Sequence, residues 1–213
     1  MVAGWKYTEY VKNLNIYNVT SLHDVYLILQ HFRRLHILSI NTFTNAEIYY
    51  MPTSTNPLIF RLPYLRQLHV DRKCELSTLL QASPNLNQLN ISFDCLKLFI
   101  DKNPYTIQTG IKRLTVYKWI DNNAELIEDL IQIFTSLHHL EIIMNDSKVI
   151  IDSLILSILP FCTSNVKVSL GVQGLLSEEV SKNIRQWIID HSYLSENDSF
   201  AVQYPNKCFR LWL

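Results

Sequence analysis

The chain has 213 residues, 48% of them hydrophobic, which suits a folded domain with a buried core and excludes a disordered protein. Its 19 lysines and arginines balance 19 aspartates and glutamates. This balance leaves no net basic field, so a nucleic acid is not expected as a partner.

A short phrase with the spacing leucine-x-x-leucine-x-isoleucine recurs along the chain. Its second anchors are residues 14, 38, 68, 89, 114 and 140, and a weaker seventh copy, Val168-Ser-Leu170, has its anchor at 168. The steps between anchors are 24, 30, 21, 25, 26 and 28 residues, close to the repeat length of about 20 to 29 residues that is typical of leucine-rich repeats. We therefore predict an α/β leucine-rich-repeat solenoid of the ribonuclease-inhibitor-like type, with a parallel concave sheet and convex helices. It forms one domain over residues 1–213, with about seven irregular repeats.

Helical patterns follow the strand phrases, as such a repeat requires. Ser21 and Asp24 resemble a capping box, and Leu22, Val25 and Leu29 then mark one apolar face. Further helices are predicted around 76–80, around 126–134, over 149–159 with an end at Pro160, and after Ser177 through Ile188. Alternating apolar residues in 200–213 predict a terminal hairpin.

Several segments resemble the irregular leucine-rich-repeat half of F-box proteins. They read LPYLRQLHV, SPNLNQLNISFDCLKLFI, GIKRLTVYKW and the closing KCFRLWL. The resemblance implies repeats that capture the substrate of a ubiquitin ligase, with another protein, substrate or ligase component, as partner. An F-box would precede the repeats in that family, and no F-box-like phrase stands before Val11.

The first strand phrase begins almost directly at the N-terminus. Only ten residues precede Val11, too few for the polar cap that a repeat array needs over its first unit. We expect a missing capping segment, a monomer that can associate through this edge, and faster hydrogen exchange in residues 11–20 than in 111–120.

Motifs for chemistry are weak, and we expect no enzyme, cofactor or metal. His138 and His139 are adjacent, and side chains of adjacent strand residues point to opposite faces, which disfavours a shared metal. Asp190-His191-Ser192 is better explained as a helix C-terminus. No apolar run reaches the length of about 18 residues that a transmembrane helix needs, and the first residues given lack the basic start and apolar run that are typical of a signal peptide. We expect a cytoplasmic or nuclear protein without membrane association.

Cys74 and Cys95 each lie four residues after the last anchor of a strand phrase, Val70 and Ile91, in consecutive repeats. Neighbouring strands are about 4.8 Å apart, so the two thiols should lie close together. We expect both to be reduced, with a redox-sensitive bridge as the alternative.

The remaining candidate is the strand face between the anchors. Leu89, Leu114 and Leu140 should be buried, and their neighbours should be exposed on one face of the sheet. The candidate protein-binding residues of this face are Asn15, Tyr17, Ser39, His69, Asn90, Arg113, Thr115, Tyr117, His139 and Glu141. A merely solvated polar face is the alternative. The function that we expect is protein recognition for an F-box-type ubiquitin-ligase receptor, or, alternatively, a free-standing scaffold or inhibitor with no ligase link.

Overall fold

The structure is a computed structural model, and it describes residues 10–18, 21–41, 60–71, 73–103, 106–120, 124–164 and 168–213. At 124–125 and 162–164 only the backbone is described. The chain divides into two compact units, Met1–Lys102 and Asn103–Leu213. Among the described residues, nine strands and seven α helices are present.

The first unit alternates short strands and helices. Its strands pair in parallel and in chain order, β1 with β2, β2 with β3, and β3 with β4. The anchors Leu14, Leu38, Leu68 and Leu89 occupy one register across all four strands. The elements are β1 Asn13–Ile16, α1 Leu22–Leu29, β2 Ile37–Ile40, β3 Gln67–Val70, α2 Ser77–Ala82, β4 Gln88–Ser92 and α3 Phe93–Lys102.

The second unit continues the same alternation and ends in a hairpin. Strands β5, β6 and β7 pair in parallel, and β9 pairs antiparallel with both β7 and β8. The predicted terminal hairpin is therefore confirmed. The elements are β5 Arg113–Trp119, α4 Ala124–Ile133, β6 His139–Met144, α5 Asp152–Ser164, β7 Ser169–Gln173, α6 Glu178–Lys182, α7 Ile184–Asp190, β8 Ala201–Gln203 and β9 Cys208–Trp212.

From β2 onward the second anchors are buried, as the period-2 pattern predicts, whereas Leu14 of β1 is only half-buried. Leu89 and Leu114 are 0% exposed and Leu140 is 1% exposed. Helix α1 buries Leu22, Val25 and Leu29 beneath the strands, and the Ser21 hydroxyl caps it by accepting a hydrogen bond from the His23 backbone N–H. The predicted buried leucines are confirmed.

Two helix predictions need correction, and one helix was missed. Helix α5 begins at Asp152, later than predicted, and continues through Pro160 to Ser164. The helix predicted after Ser177 is two helices, because Asn183 has a non-helical backbone and caps α7 by accepting from the Gln186 N–H. Helix α3 was not predicted.

The seventh repeat is displaced by two residues from its predicted position. Leu140 pairs with Leu170, and Glu141 pairs with Gly171. The anchor is therefore Leu170, and the prediction that placed it at Val168 is wrong. The other six copies hold the predicted positions within their units.

The α/β class and the mostly parallel pairing of the strands are established by these elements. The solenoid arrangement stays a prediction. Residues 1–9, on which the predicted lack of an N-terminal cap depends, lie outside the described residues.

Candidate functional site

The register of the first unit places four predicted binding residues in one row. Asn15 lies beside Ser39, Ser39 beside His69, and His69 beside Asn90. Because residues two apart on a strand share a face, Tyr17 extends the row beyond the end of β1. The sequence thus brings this half of the candidate site together as predicted.

Exposure decreases along this row. Asn15 is exposed and Tyr17 is 55% exposed, whereas Ser39, His69 and Asn90 are half-buried. The Asn90 side-chain oxygen Oδ1 is fully buried, and no described residue forms a hydrogen bond with it. The prediction that Asn90 is exposed is therefore wrong in degree.

The second unit carries its own group of predicted binding residues, and several of them are charged. Arg113 pairs with His139, and Thr115 pairs with Glu141. The Thr115 hydroxyl donates to Glu141 Oε2 at 3.4 Å. Thr115 and Glu141 are half-buried, so they too are less exposed than predicted. This cross-strand bond fixes the carboxylate near the middle of the row.

Two residues that the sequence did not indicate complete this part of the face. Gly171 lies beside Glu141 on one side and beside Arg210 of the antiparallel strand β9 on the other. A methyl group at position 171 would contact Glu141 Cγ at 3.5 Å. Gly171 therefore adds no side chain between Glu141 and β9, and the pairing of Gly171 with Arg210 places Arg210 on the same face of the sheet.

His139 is the titratable group most affected by this environment. It is half-buried, and its Nδ1 atom forms a hydrogen bond with the Ser169 hydroxyl. Burial lowers the pKa of His139 below its ordinary value of 6.5, with Arg113 and Arg210 lowering it further and Glu141 opposing the shift. The neutral imidazole is thus the favoured form, which suits hydrogen bonding more than fixed charge.

Tyr117 borders the charged residues. The left-handed backbone of Lys118 (φ 58°) produces an irregularity in β5, so that Trp119 turns fully into the core. Tyr117 stays half-buried, with the Lys118 ammonium 5.7 Å from its ring centre. A tyrosine with a polar tip on a partly exposed face is a common anchor in protein interfaces.

The two cysteines are close together and reduced in this structure. Cys74 lies just before α2, and Cys95 lies in the first turns of α3. The Cys95 thiol donates to the Cys74 carbonyl oxygen at 3.2 Å. Burial raises the pKa of Cys74 well above its ordinary value and that of Cys95 to about 12. These are unreactive thiols that pack within the core.

The adjacent histidines have separate partners. His138 Nδ1 lies 2.7 Å from the Ser136 carbonyl, whereas His139 bonds Ser169. His191 follows α7, with Nδ1 2.8 Å from the Trp187 carbonyl, in agreement with the helix-end interpretation. Within the described ranges no group of three or more histidine, cysteine, aspartate or glutamate side chains could hold a metal ion.

Comparison with known proteins gives no family for the chain: no family model matches it, and no curated protein matches it. The F-box-type resemblance therefore stays a prediction. Of the helices in the described part of the chain, none is both long and apolar enough to span a bilayer.

Proposed function

We propose that this protein is a leucine-rich-repeat recognition module that binds another protein through the strand face described above. The proposal is supported by the agreement between the repeat spacing of the sequence and the pairing register of the strands. Within each unit, equivalent positions of successive repeats lie side by side on neighbouring strands. A row of this kind offers many side chains at regular spacing to one extended partner.

The observation that carries the proposal is a cluster of polar and charged side chains in the second unit. It combines Arg113, His139, Glu141 and Arg210, flanked by Tyr117. Arginine and tyrosine are the residue types that contribute most often to binding energy at protein interfaces. His139 and Glu141 are half-buried and hydrogen-bonded, so they lose less conformational freedom on binding than the exposed Arg113 and Arg210.

Within this function we propose the role of substrate capture for an F-box-type ubiquitin ligase, in the cytoplasm or the nucleus and without catalytic activity. The F-box-like sequence segments support that role. The alternative is a free-standing scaffold or inhibitor. An F-box in frame in the upstream coding sequence would favour the ligase role, and a capping helix there would favour the scaffold.

The proposal is tested by affinity capture with matched charge reversals. The test variant exchanges two charges of the face, Arg113→Glu with Glu141→Lys. The control exchanges two exposed charges of α6, Glu178→Lys with Lys182→Glu, which are joined by a 2.8 Å ion pair. Both variants keep the net charge, and the control preserves the opposite signs of its pair.

We expect proteins captured by the unmodified chain and by the control to be lost from the face variant, as identified by mass spectrometry. Equal thermal unfolding of the two variants would show that folding is not the cause. Capture that the face variant retains and the α6 variant loses would contradict the proposal.

A further inference from the structure

In the described part of the first unit, three of the four segments that lead into the strands carry cations, and none of the four carries a carboxylate. These leading segments are residues 10–12, 30–36, 60–66 and 82–87, and they contain no aspartate or glutamate. Each of their charged side chains is exposed. These five cations are Lys12, Arg33, Arg34, Arg61 and Arg66.

Acidic residues of the same unit lie after the strands instead. Asp24 is in the first turn of α1 and Asp94 in the first turn of α3, while Asp71 directly follows β3. Asp101 lies near the end of α3, beyond the last strand of the unit. In parallel strands the starts share one edge and the ends share the opposite edge. The described residues before the strands carry cations without a carboxylate, whereas the described residues after the strands are mixed, with Lys73, Lys97 and Lys102 among the acidic ones. We call the edge at the strand starts the leading edge.

Backbone hydrogen bonds fix the order of side chains along the leading edge. The His36 N–H donates to the Lys12 carbonyl at 2.7 Å, and the Arg66 N–H donates to the His36 carbonyl at 2.9 Å. Lys12, His36 and Arg66 therefore stand on three consecutive strands, which places them about 5 Å apart per step. The leading edge therefore holds basic side chains in a fixed order along the hydrogen-bonded strands.

An open groove of about 630 Å³ adjoins this edge. Arg33 and Arg61 are the cations that line the groove. The Tyr64 ring, which also lines it, contacts the His36 ring at 6.3 Å between centroids, so the groove lies next to the line of Lys12, His36 and Arg66. The Asn85 side chain donates to the Pro63 carbonyl at 2.7 Å, which holds this wall against the next repeat. The groove is lined by Gln30, Arg33, Phe60, Arg61, Pro63 and Tyr64.

The cations of the leading edge are available to a ligand. In the part of the chain that the structure describes, none of the five forms an ion pair. The end of helix α1 adds a partial negative charge of about half an electron nearby. That is small beside five full positive charges.

We propose that the leading edge of the first unit binds an acidic, aromatic-containing peptide segment of a partner protein. Carboxylates pair with the two guanidinium groups of the groove, because planar guanidinium and carboxylate groups match in bidentate geometry. An aromatic side chain of the partner packs against Tyr64 and Pro63. This surface differs from the strand face, and the inference does not depend on the function proposed for that face.

Size and charge favour a peptide over a nucleic acid. The line from Lys12 to Arg66 spans two strand spacings, about 10 Å, which an extended peptide crosses in about three residues. A polynucleotide gains affinity from many phosphate contacts. The chain has no net positive charge that would attract a long polyanion.

The test uses the full chain and a fluorescein-labelled short peptide that alternates glutamate and phenylalanine. The same peptide with glutamine for glutamate is the probe control. The variant Arg33→Gln/Arg61→Gln removes both cations of the groove. The matched variant Lys97→Gln/Lys102→Gln removes two exposed cations from α3 of the same unit.

We expect fluorescence anisotropy to show binding of the glutamate peptide only. The groove variant should weaken it by about tenfold, the sum expected for two exposed charge pairs, and the α3 variant should leave it unchanged. The strand-face variant Arg113→Glu/Glu141→Lys should bind the peptide normally, so failure of one proposal does not entail failure of the other.

Three results would overturn the inference. They are no binding of the glutamate peptide, equal weakening by both double variants, and tighter binding of labelled oligouridylate that the groove variant alone abolishes. The last would assign the edge to single-stranded nucleic acid. Thermal unfolding of each variant separates a binding defect from a folding defect.

Discussion

Leu114 and Thr115 show how sharply a single strand divides its two faces. Leu114 is 0% exposed in the core, and Thr115 beside it is half-buried on the opposite face. Leu114→Ala should lower the free energy of unfolding by about 2 to 5 kcal/mol, because it removes buried carbon and leaves a cavity.

Urea unfolding measures this difference, with Thr115→Ala as the control. Thr115→Ala removes only the 3.4 Å hydrogen bond to Glu141. It should therefore lower the free energy of unfolding by at most about 1 kcal/mol. A larger loss for Thr115→Ala than for Leu114→Ala would mean that β5 presents the opposite face to the core.

The His139 imidazole reports directly on the charges of the strand face. Burial and two arginines lower its pKa, and Glu141 raises it. Glu141→Gln should therefore lower the pKa of His139 further, and Arg210→Gln should raise it. NMR titration of the imidazole carbon protons measures both shifts, and shifts of the same sign would contradict the arrangement.

The same residue gives stability a defined pH dependence. With a folded-state pKa below the ordinary 6.5, the unfolded chain takes up the proton first as the pH falls. The contribution of His139 to stability is therefore present above about pH 6.5 and is lost as the pH falls through the folded-state value. A His139→Gln variant should show a weaker loss over this range.

Cys74 and Cys95 should react slowly in the folded protein. Their raised pKa values and complete burial keep the thiolate population low, whereas Cys208 is partly exposed. Alkylation at neutral pH should therefore label Cys208 well before the other two. Denatured protein prepared without reductant should then show all four thiols of the chain. Fewer than four would indicate a bridge.

At the scale of elements, two glycines of the β7 region, Gly171 and Gly174, differ in how closely their surroundings pack against them. A side-chain carbon at Gly174 would overlap Ile151 Cγ2 and press on the Val149 carbonyl and Met144 Cγ. A carbon at Gly171 would make only ordinary contact with Glu141. Ile151 is fully buried and the Val149 carbonyl is backbone, so neither can move aside easily.

Gly174→Ala should therefore cost about 1 to 3 kcal/mol of stability, the usual range for overpacking a core. Gly171→Ala, in the same strand region, should change stability by less than about 0.5 kcal/mol. Thermal or urea unfolding compares the two. Equal effects would show that the turn from β7 toward α6 does not pack against Ile151 as described.

The elements that sequence reasoning missed have physical explanations. Val168, Leu170 and Val172 alternate with period two, so a strand phrase fits at either of two positions two residues apart. Only pairing of Leu170 with Leu140 selects one of them. Helix α3 follows β4 without any intervening turn residue, so no glycine or proline marks its start.

At the scale of the molecule, local pattern predicted the α/β class and six of the repeat positions. It did so because the alternation of apolar and polar residues can be read from each strand by itself, without knowing which strands pair with it. The strand-face charges could be predicted only in part. Arg210 enters the face through antiparallel pairing of β9 with β7, a long-range contact that leaves no mark in the spacing of the repeats.

Burial of the row residues was the least predictable feature. Asn90 and Glu141 are polar spacers like Asn15, and all three fit the repeat equally well. Their exposure differs with their position in the sheet: Asn15 lies on the first strand and Asn90 on the fourth strand of the same unit. Which spacers are preorganised for binding thus depends on neighbouring strands and cannot be read from one repeat.

Site-specific photo-crosslinking tests the central claim, protein recognition by the strand face, most directly. Benzoylphenylalanine replaces Tyr117 on the face or, as control, Tyr193, which is 81% exposed beyond α7. The two variants are irradiated in lysate of the source cells, and adducts are identified by mass spectrometry. We predict a defined protein adduct at position 117 that the Arg113→Glu/Glu141→Lys changes abolish, and no such adduct at 193. Adducts at position 193 alone, or adducts at 117 that persist after the charge reversal, would contradict recognition by this face.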